Sequence, residues 1–360
     1  MKYPSLLSGA ECLSDMGVFD SIIDVRSEAE FALDHIPGAI NCPVLHNDER
    51  VRVGTIYKQI GAFEAKKMGA ALVAKNIAEH LNTSFQEKPR DWRPLVYCWR
   101  GGNRSGSLAL ILAKIGWPVA QIEGGYREYR REVINQLDEI PTHLRFLVIC
   151  GTTGSGKSRL LSTLAKLGAA VLDLEKLAAH RGSVLGGLPG KDQPSQKLFE
   201  SQIWNVLRQC APNQTILVES ESKKIGNLRV PEVLMQKIRS SECIRLNVDT
   251  SHRVNLLIED YPHLTHDSEQ LISQLSHLAP LHGHSKIRHW QSLAQSNAIQ
   301  TLVESLLVEH YDPAYLKSIE RNFRNYSTGV EIGMPDISGA SFESAARQII
   351  QRLNLASAIR

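Results

Sequence analysis

The most constraining feature of this 360-residue sequence is a glycine-rich stretch between an apolar run and a helix-like pattern. The run Arg145–Cys150 predicts a buried strand, and the residues from Arg159 onward have helical periodicity. Because a strand and a helix flank it, the stretch predicts a phosphate-binding loop (P-loop) in a parallel α/β sheet. It matches the pattern G-x-x-x-x-G-K-[ST] through Gly151, Thr152, Thr153, Gly154, Ser155, Gly156, Lys157 and Ser158.

The residue types of this loop predict how it would hold a diphosphate. Glycines let backbone N–H groups face the phosphate oxygens, and Lys157 reaches the terminal oxygens. Ser158 can help to hold Mg²⁺, which usually keeps water and phosphate ligands as well. We therefore expect Mg²⁺ at a bound diphosphate and no dedicated site made by protein side chains alone.

Two further apolar runs of this half end in acids. Residues 170–175 predict a second strand with Asp173 near its carboxyl end, and residues 215–222 predict a third strand that ends in Glu219 and Glu221. The third strand is shaped like a Walker B strand but carries glutamates. We predict that Asp173, Glu219 and Glu221 organise Mg²⁺ or its water ligands.

A second strand–turn–helix stretch surrounds Cys98. Residues 94–97 predict a buried strand, and residues 105–113 predict the helix after it. Backbone N–H groups of the glycine turn and the positive end of the helix dipole would surround the sulfur, and Arg100 and Arg104 add full charges. We therefore expect the pKa of Cys98 to lie below the ordinary thiol value of about 8.5. Cys98 is the predicted nucleophile, with Arg100 and Arg104 as its catalytic partners.

Length and composition limit the protein classes that fit this chain. The length suits two domains, which we place at residues 5–135 and 140–360, the second with a helical insertion or extension. The net charge of +3 restricts any nucleic-acid surface to a local patch. The six cysteines are scattered, which favours reduced thiols, and neither a signal peptide nor an apolar segment of about 20 residues is present. We expect a soluble cytoplasmic protein.

The first half resembles a rhodanese (sulfurtransferase) domain. The similarity is carried by Asp24–Arg26, Glu30–Phe31, His35–Ala39, the Cys98 loop and Gly124–Tyr126. It implies a mostly parallel sheet covered by helices and a loop cysteine that carries sulfane sulfur as a persulfide. We expect Asp24, Arg26 and His35 to support the scaffold.

The spacing inside the Cys98 loop leaves two activities open. Five residues separate Cys98 from Arg104, whereas the common rhodanese loop has four. Five is also the spacing of cysteine-dependent phosphatases, although Tyr97 stands where that family usually has histidine. The spacing alone therefore fits either a sulfur or selenium carrier or a phosphatase.

Histidines and cations in the second half suggest weaker hypotheses. His263, His266, His282 and His284 have spacings compatible with metal binding, but no cysteine accompanies them, so we expect exposed helical histidines. Two groups of cations can form patches for phosphate backbones, although each is more typical of an ordinary solvated face. These groups are Lys286, Arg288 and His289 beside Trp290, and Lys223, Lys224 and Arg229.

Over nearly its whole length the chain resembles the tRNA 2-selenouridine synthase family. The similarity includes the two loops and further stretches that neither rhodaneses nor P-loop proteins share in general: Val53–Gln59, His180–Ser183, Glu219–Gly226 and His310–Tyr315. Ser220 departs from the pattern, since family members tend to have an acid between the two glutamates.

This resemblance implies a transferase that modifies 2-thiouridine at the tRNA wobble position. Geranyl diphosphate first alkylates the sulfur, and selenium from selenophosphate then replaces the geranylthio group. The resemblance implies that the P-loop binds the diphosphate and that Cys98 carries selenium as Cys98–S–Se⁻. The implied partners are tRNA and a selenophosphate-supplying enzyme. The alternative is a P-loop kinase or ATPase joined to a rhodanese sulfur carrier, which would turn over nucleotide instead.

Overall fold

The computed structural model describes residues 3–14, 16–182, 186–187, 190–262 and 268–358. The chain divides into two compact units. Residues 1–137 and 194–205 form the first unit, and residues 138–193 and 206–360 form the second. The predicted ranges of 5–135 and 140–360 were contiguous, whereas the observed first unit includes a segment from later in the chain.

The first unit is built on a five-stranded sheet in which every pairing is parallel. Its strands are β1 (Ser5–Leu7), β2 (Ser21–Asp24), β3 (Ala39–Asn41), β4 (Pro94–Tyr97) and β5 (Ala120–Ile122), in the spatial order β1-β5-β4-β2-β3. Its helices are α1 (Gly9–Ser14), α2 (Glu28–Leu33), α3 (Asn47–Gln59), α4 (Ala62–Asn82), α5 (Asn103–Ile115) and α6 (Gly125–Glu139). Strand β4 lies in the middle of the sheet, so the loop that follows it leaves from the centre of the unit.

The core of this unit explains why its central strands are continuously apolar. Every residue of β4 is buried, because helices cover both faces of a parallel sheet. Val96 of β4 packs with Leu108 and Leu112 of α5 and with Trp92. The same cluster contains Cys98, so the core fixes the point at which the cysteine loop begins.

Residues 194–205 pack on the first unit through helix α9 (Gln196–Leu207). The fully buried Trp204 meets the ring of Tyr129 edge-on at 5.8 Å, and its indole N–H donates to Gln136 at 2.8 Å. Glu200 forms an ion pair with Arg130. An aromatic anchor of this size buries enough apolar surface to hold the segment in place.

The second unit is built on another five-stranded, fully parallel sheet. Its strands are β6 (Arg145–Cys150), β7 (Val171–Leu172), β8 (Thr215–Glu219), β11 (Glu242–Val248) and β12 (Asn325–Met334), in the order β12-β11-β6-β8-β7. A short antiparallel pair, β9 (Lys224–Ile225) and β10 (Leu228–Arg229), stands apart. The third strand predicted at 215–222 forms as β8 but ends at Glu219, and the predicted second strand shortens to β7.

Helices complete the second unit. They are α7 (Lys157–Lys166), α8 (Leu174–Ala178), α10 (Glu232–Arg239), α11 (Thr250–Asp260), α12 (Ser268–Ser276), α13 (Ala279–Gln295), α14 (Ile299–Leu306), α15 (Asp312–Asn322) and α16 (Gly339–Ala358), with a π-helical turn at Leu307–Tyr311. Helices α12 to α14 pack around the fully buried Trp290 in a cluster of their own. These helices lie within the domain for which we predicted a helical insertion or extension. None of the helices in the described ranges combines the length and apolar content needed to cross a lipid bilayer.

Candidate functional site

The first candidate site is the loop between β4 and α5. Cys98 directly follows β4, is 3% exposed, and accepts a hydrogen bond at its Sγ atom from the Ser105 hydroxyl at 3.1 Å. Gln121 of β5 donates to the Gly101 carbonyl at 2.7 Å and to the Ser105 hydroxyl at 3.1 Å. The loop is therefore held from the sheet and from the first turn of α5.

Two glycines allow the turn to close tightly around the sulfur. Gly101 and Gly125 have φ angles of 65° and 60°, in the left-handed region that glycine tolerates best. A Cβ atom at Gly125 would lie 2.3 Å from the Cys98 carbonyl oxygen and 2.4 Å from the Gly101 nitrogen. The start of α6 therefore presses on the cysteine loop at a place where any side chain would collide.

The surroundings of Cys98 favour its thiolate. Burial alone would raise the pKa of the thiol, but the hydrogen bond from Ser105, the backbone N–H groups of Ser105 and Arg100, and the charge of Arg104 together lower the pKa below its ordinary value. Backbone N–H groups at a helix N-terminus are common anion-binding elements. The direction of the shift agrees with the sequence-based expectation, and it makes Cys98 a stronger candidate nucleophile.

The two arginines act on the loop in different ways. The Arg104 guanidinium donates to Glu30 at 3.0 Å, and Arg50 of α3 lies 3.1 Å from the same carboxylate oxygen. The side chain of Arg100 is exposed, and its contribution to the Cys98 thiolate comes from its backbone N–H. Glu30 is a neighbour that sequence analysis did not predict, because it stands 74 residues before Arg104.

Asp24, Arg26 and His35 lie in supporting positions. Asp24 and Arg26 form an ion pair of 2.6 Å with both side chains almost fully buried, and the Arg26 guanidinium stacks over Tyr126 at 4.0 Å. His35 Nδ1 is hydrogen-bonded to the Phe31 carbonyl at 2.9 Å. These contacts link β2, α2 and α6 below the loop, which agrees with the predicted scaffold role.

The second candidate site is the P-loop between β6 and α7. Gly154 and Gly156 have φ angles of 80° and 79°, and a Cβ atom at Gly156 would lie 2.5 Å from the Phe342 ring. Lys157 begins α7, and its Nζ donates to the Gly151 carbonyl at 2.8 Å. The loop therefore has the strand, turn and helix order that presents N–H groups and a lysine to a phosphate group.

Carboxylates surround the start of α7. Ser158 donates its hydroxyl to Glu175 at 2.7 Å, and the Glu175 backbone N–H donates to Glu219 at 2.9 Å. Glu219 is fully buried, and its Oε2 atom has no partner among the described residues. Asp173 caps α8 by accepting from the Lys176 N–H at 2.8 Å, so it ends a two-residue strand rather than the longer one predicted.

Burial and mutual repulsion disfavour the ionised forms of the Glu219 and Glu221 carboxylates. Burial raises the pKa of Glu219 well above its ordinary value, and the neighbouring carboxylates raise it further. Burial and then Glu175 raise the pKa of Glu221 to about 8, while Lys157 opposes this rise. In the described ranges no three His, Cys, Asp or Glu side chains are grouped closely enough to hold a metal alone. The residues fit a Mg²⁺ ion that also keeps water and phosphate ligands, because a divalent cation would relieve the crowded negative charge.

Two long-range contacts at the P-loop were not predicted from the sequence. The Tyr315 hydroxyl accepts from the Gly151 N–H at 2.8 Å and bonds the Ser220 hydroxyl at 2.9 Å. Arg253 Nε donates to the Thr153 carbonyl at 2.9 Å, and its two terminal guanidinium nitrogens pair with Asp312. The only sequence signal was that the stretch 310–315 carried the resemblance, and the structure shows that this stretch supports the P-loop.

A cavity of about 400 Å³ opens beside the P-loop, a volume typical of small-molecule sites. Its lining includes Gly156, Lys157 and Ser158 of the P-loop and the acids Glu175 and Glu221. It also includes apolar and aromatic residues, which are Leu256, Leu257, Tyr261, Tyr311, Ala314, Tyr315, Ile319 and Phe323, and polar or charged ones, among them Arg181, Arg239, Asp260, His310, Ser318 and Asn322. The cavity therefore offers a phosphate-binding loop, apolar surface and hydrogen-bonding groups.

Among the histidines that we expected to be exposed, His282 is half-buried, because its ring packs against Trp290 and His310. His310 is nearly buried at the cavity, and its Nδ1 is hydrogen-bonded to His282 Nε2 at 2.9 Å. Burial lowers the pKa of His310, and His282 lowers it further. His284 is exposed, while His263 and His266 lie outside the described residues. His310 was thus missed as a cavity residue because its partner lies on a different helix.

Comparison with protein families accounts for both units. The family model described as the tRNA 2-selenouridine synthase AAA domain matches residues 144–288, and the rhodanese-like domain model matches residues 10–132. The chain therefore combines a rhodanese-like domain with a P-loop-like α/β domain. A crystal structure of the N-terminal domain of a putative ATP/GTP binding protein from Clostridium difficile is 38% identical. The matched region covers 36% of this chain and 98% of the crystallised chain, and the TM-score is 0.31.

Curated relatives match across both units. The tRNA 2-selenouridine synthase of Nitrosomonas europaea is 36% identical over 266 residues, which cover 72% of this chain and 68% of the relative. The tRNA 2-selenouridine synthase of Alcanivorax borkumensis is 32% identical over 328 residues, which cover 82% of this chain and 88% of the relative. This chain belongs to the tRNA 2-selenouridine synthase family.

Proposed function

We propose that the chain is a transferase that converts 2-thiouridine at the tRNA wobble position into 2-selenouridine in two steps. The P-loop domain transfers a geranyl group from geranyl diphosphate to the sulfur. The Cys98 domain then supports replacement of the geranylthio group by selenium from selenophosphate. tRNA and a selenophosphate-supplying enzyme are the proposed partners, and the cytoplasm is the proposed location.

The observation that carries this proposal is the cavity at the P-loop, whose lining combines phosphate-binding residues with apolar side chains. Lys157 and the loop N–H groups suit a diphosphate, while Leu257, Ile319 and Phe323 offer contacts to a branched hydrocarbon chain. The cavity therefore provides contacts for both parts of a prenyl diphosphate, and the assay described below distinguishes this substrate from a nucleoside triphosphate.

In the first step the sulfur of 2-thiouridine attacks C1 of the geranyl group. The C–O bond to diphosphate breaks, and diphosphate departs with the electron pair. Lys157 and the N–H groups of the P-loop stabilise the charge that develops on the leaving oxygens. Ser158, Glu175 and Glu219 would hold Mg²⁺, which supplies further charge neutralisation for the diphosphate.

In the second step selenium bonds to C2 of the base and geranylthiolate leaves. The exchange is redox-neutral when selenium keeps the oxidation state it has in selenophosphate, and hydrolysis of the P–Se bond then releases phosphate. A transient bond between Cys98 Sγ and C2 preserves this balance, because the thiolate displaces geranylthiolate as a nucleophile and is then displaced as a leaving group by the selenium of selenophosphate. A perselenide on Cys98 would instead require phosphorus to leave as phosphite. Both forms use a stabilised thiolate, and protein mass spectrometry distinguishes them.

The length of the Cys98 loop is consistent with the second substrate. Selenophosphate is a tetrahedral anion, larger than a single sulfur atom. Five residues between Cys98 and Arg104 form a wider turn than the common four, and the helix N-terminus beside it attracts anions. Binding of selenophosphate would thus explain why a selenium-transferring enzyme has the same spacing as phosphatases.

The test is mass spectrometry of nucleosides from tRNA that contains 2-thiouridine. The tRNA is incubated with the protein, geranyl diphosphate and Mg²⁺, with and without selenophosphate. We expect geranylthiouridine without selenophosphate and 2-selenouridine with it. Hydrolysis of ATP without either modified nucleoside would contradict the proposal and support a kinase or ATPase joined to a sulfur carrier.

A further inference from the structure

Helices α3 and α4 form a hairpin whose first half adds little to the core of its unit. No residue of α3 is buried, and α4 buries only Ala65, Asn76 and Ile77. Val53 of α3 lies against Gly69 of α4, so the two helices pack on each other. The end of the hairpin around the α3–α4 turn is therefore a solvent-facing element.

Large apolar side chains are exposed at this end. Val51, Tyr57, Ile60 and Phe63 are 66%, 60%, 70% and 75% exposed. A soluble protein tolerates single exposed apolar residues, but four within a short hairpin suggest a binding surface. We call residues 50–67 the hairpin surface.

The hairpin surface also concentrates positive charge. It contains five Lys or Arg residues and one acid, a net charge of +4, whereas the whole chain has +3. The remainder of the chain is therefore slightly negative. Within the described ranges Arg52, Lys58 and Lys66 form no ion pair, whereas Lys67 pairs with Glu64 at 2.6 Å and lies 5.9 Å from the centre of the Phe63 ring. Aromatic rings interleaved with unneutralised cations are typical of surfaces that bind single-stranded nucleic acid.

Gly54 gives a second indication of a partner. It lies in the middle of α3, where glycine costs about 0.5–1 kcal/mol relative to alanine. A Cβ atom there would have no neighbour within 4 Å, and the residue is not among those with positive φ. The fold therefore does not require glycine at this position, and a flat spot for close approach of a partner is a direct explanation.

The hairpin surface is continuous with the cysteine site. Arg50 of α3 and Arg104 of the Cys98 loop both pair with Glu30, at 3.1 and 3.0 Å. A long molecule bound along the hairpin surface would therefore reach the edge of the Cys98 loop. This favours a substrate over a partner that binds without reacting.

We propose that the hairpin surface binds the tRNA substrate, with Tyr57 and Phe63 stacking on bases and Lys58 and Lys66 contacting phosphates. The inference rests on the proposed function for the identity of the RNA. It adds a substrate-binding surface outside both reaction sites. A second copy of the chain is the competing occupant, and its binding would leave tRNA affinity unchanged.

The test compares paired substitutions in the full-length protein. Two variants change the surface: Tyr57→Ala with Lys58→Glu, and Phe63→Ala with Lys66→Glu. The matched control is Tyr3→Ala with Lys114→Glu, since Lys114 lies 4.8 Å from the exposed Tyr3 ring and the change in charge is the same. Binding of 2-thiouridine tRNA is measured by fluorescence anisotropy over a range of salt concentrations, with thermal unfolding and mass in solution as further measurements.

We expect each surface variant to lower tRNA affinity by about tenfold or more, because it loses one stacked base and one phosphate contact. The slope of log affinity against log salt should become shallower by about 0.7, the contribution of one phosphate contact to single strands. KM for tRNA should rise while kcat changes little. The control should bind like wild type, and Gly54→Ala should weaken binding without lowering the unfolding temperature.

Several results would overturn this inference. Wild-type tRNA affinity in both surface variants, alongside normal tRNA modification by wild type, would contradict the inference alone. A change in mass in solution with unchanged tRNA affinity would assign the surface to a second copy. Failure of the wild-type protein to bind or modify any tRNA would overturn the proposed function together with this inference.

Discussion

The Cys98 loop and the P-loop share a local plan but hold different reactants. Each follows a buried central strand of a parallel sheet, turns through glycines with positive φ, and ends at a helix N-terminus. In the Cys98 loop the space inside the turn holds the protein's own sulfur, with Ser105 3.1 Å away. In the P-loop the residue directly after the strand is Gly151, the fully buried Cys150 lies one position earlier within the strand, and Lys157 stands at the start of the helix.

The difference shows how the residue directly after the strand decides the use of an anion-binding turn. When this residue is a cysteine, the surrounding N–H groups stabilise its thiolate. A glycine, Gly151, leaves the N–H groups for an external anion, and a lysine supplies the charge that the ligand needs. Under the proposed function, one type of turn serves nucleophilic substitution in one domain and leaving-group stabilisation in the other.

The largest effect is expected from a substitution in the P-loop that impairs one of the two steps. Lys157→Ala should lower the rate of tRNA geranylation by about 10²–10³-fold, because a charged donor to the leaving diphosphate is lost. Selenation of tRNA that already carries the geranyl group should proceed at the wild-type rate. Lys166→Ala, an exposed lysine at the end of the same helix, is the control. Equal loss of both steps in Lys157→Ala would show that the two turns do not act separately.

An intermediate effect is expected at the cysteine turn. Because Ser105 donates to Cys98 and lowers its pKa, Ser105→Ala should raise that pKa. Below both pKa values the thiolate fraction and the selenation rate should fall by about 10-fold, the size of a hydrogen bond to a charged group. The rate should recover as the pH rises through the new pKa.

The measurement is the pH profile of selenation for wild type, Ser105→Ala and Ser107→Ala. Ser107 lies on the exposed side of the same helix and bonds its hydroxyl to the Asn103 carbonyl, so its loss should not shift the profile. A rate reduced by the same factor at every pH in Ser105→Ala would mean that Ser105 does not act through the ionisation of Cys98.

The smallest expected effect tests how the P-loop is supported. Tyr315→Phe removes the hydroxyl that bonds Gly151 and Ser220 and keeps the ring beside Lys157. The dissociation constant for geranyl diphosphate, measured by calorimetry, should rise about fivefold, the value of one neutral hydrogen bond. Ser220→Ala should weaken binding less, and the double variant should be no worse than Tyr315→Phe, since both changes break one network. Full additivity would show that the hydroxyls act independently.

The sequence predicted the parts of both turns that depend on local order. Strand, glycine turn and helix follow one another within about fifteen residues, so apolar runs and glycine positions were enough to locate Cys98, Lys157 and β8. The strand predicted at residues 170–175 is longer than the observed strand, Val171–Leu172, because Asp173 caps the helix that begins immediately after it. Local patterns do not show when a side chain turns back to cap the next element.

The support of each turn comes from residues distant in the chain. Glu30 reaches Arg104 across 74 positions, and Tyr315 reaches Gly151 across 164. Trp204 packs on the first unit although it lies within the range predicted for the second domain. Such pairings depend on the order of strands in the sheets and on which faces the helices cover. A single sequence carries no periodic signal for them.

The most direct test of separate roles for the two turns is the nucleoside composition of tRNA treated with Cys98→Ala. The reaction contains 2-thiouridine tRNA, geranyl diphosphate, Mg²⁺ and selenophosphate, and wild type is run beside it. We predict that Cys98→Ala accumulates geranylthiouridine at the wild-type rate and forms about 10³-fold less 2-selenouridine, because the nucleophile of the second step is absent. Formation of 2-selenouridine at the wild-type rate, or loss of geranylation in this variant, would contradict the division of the reaction between the two turns.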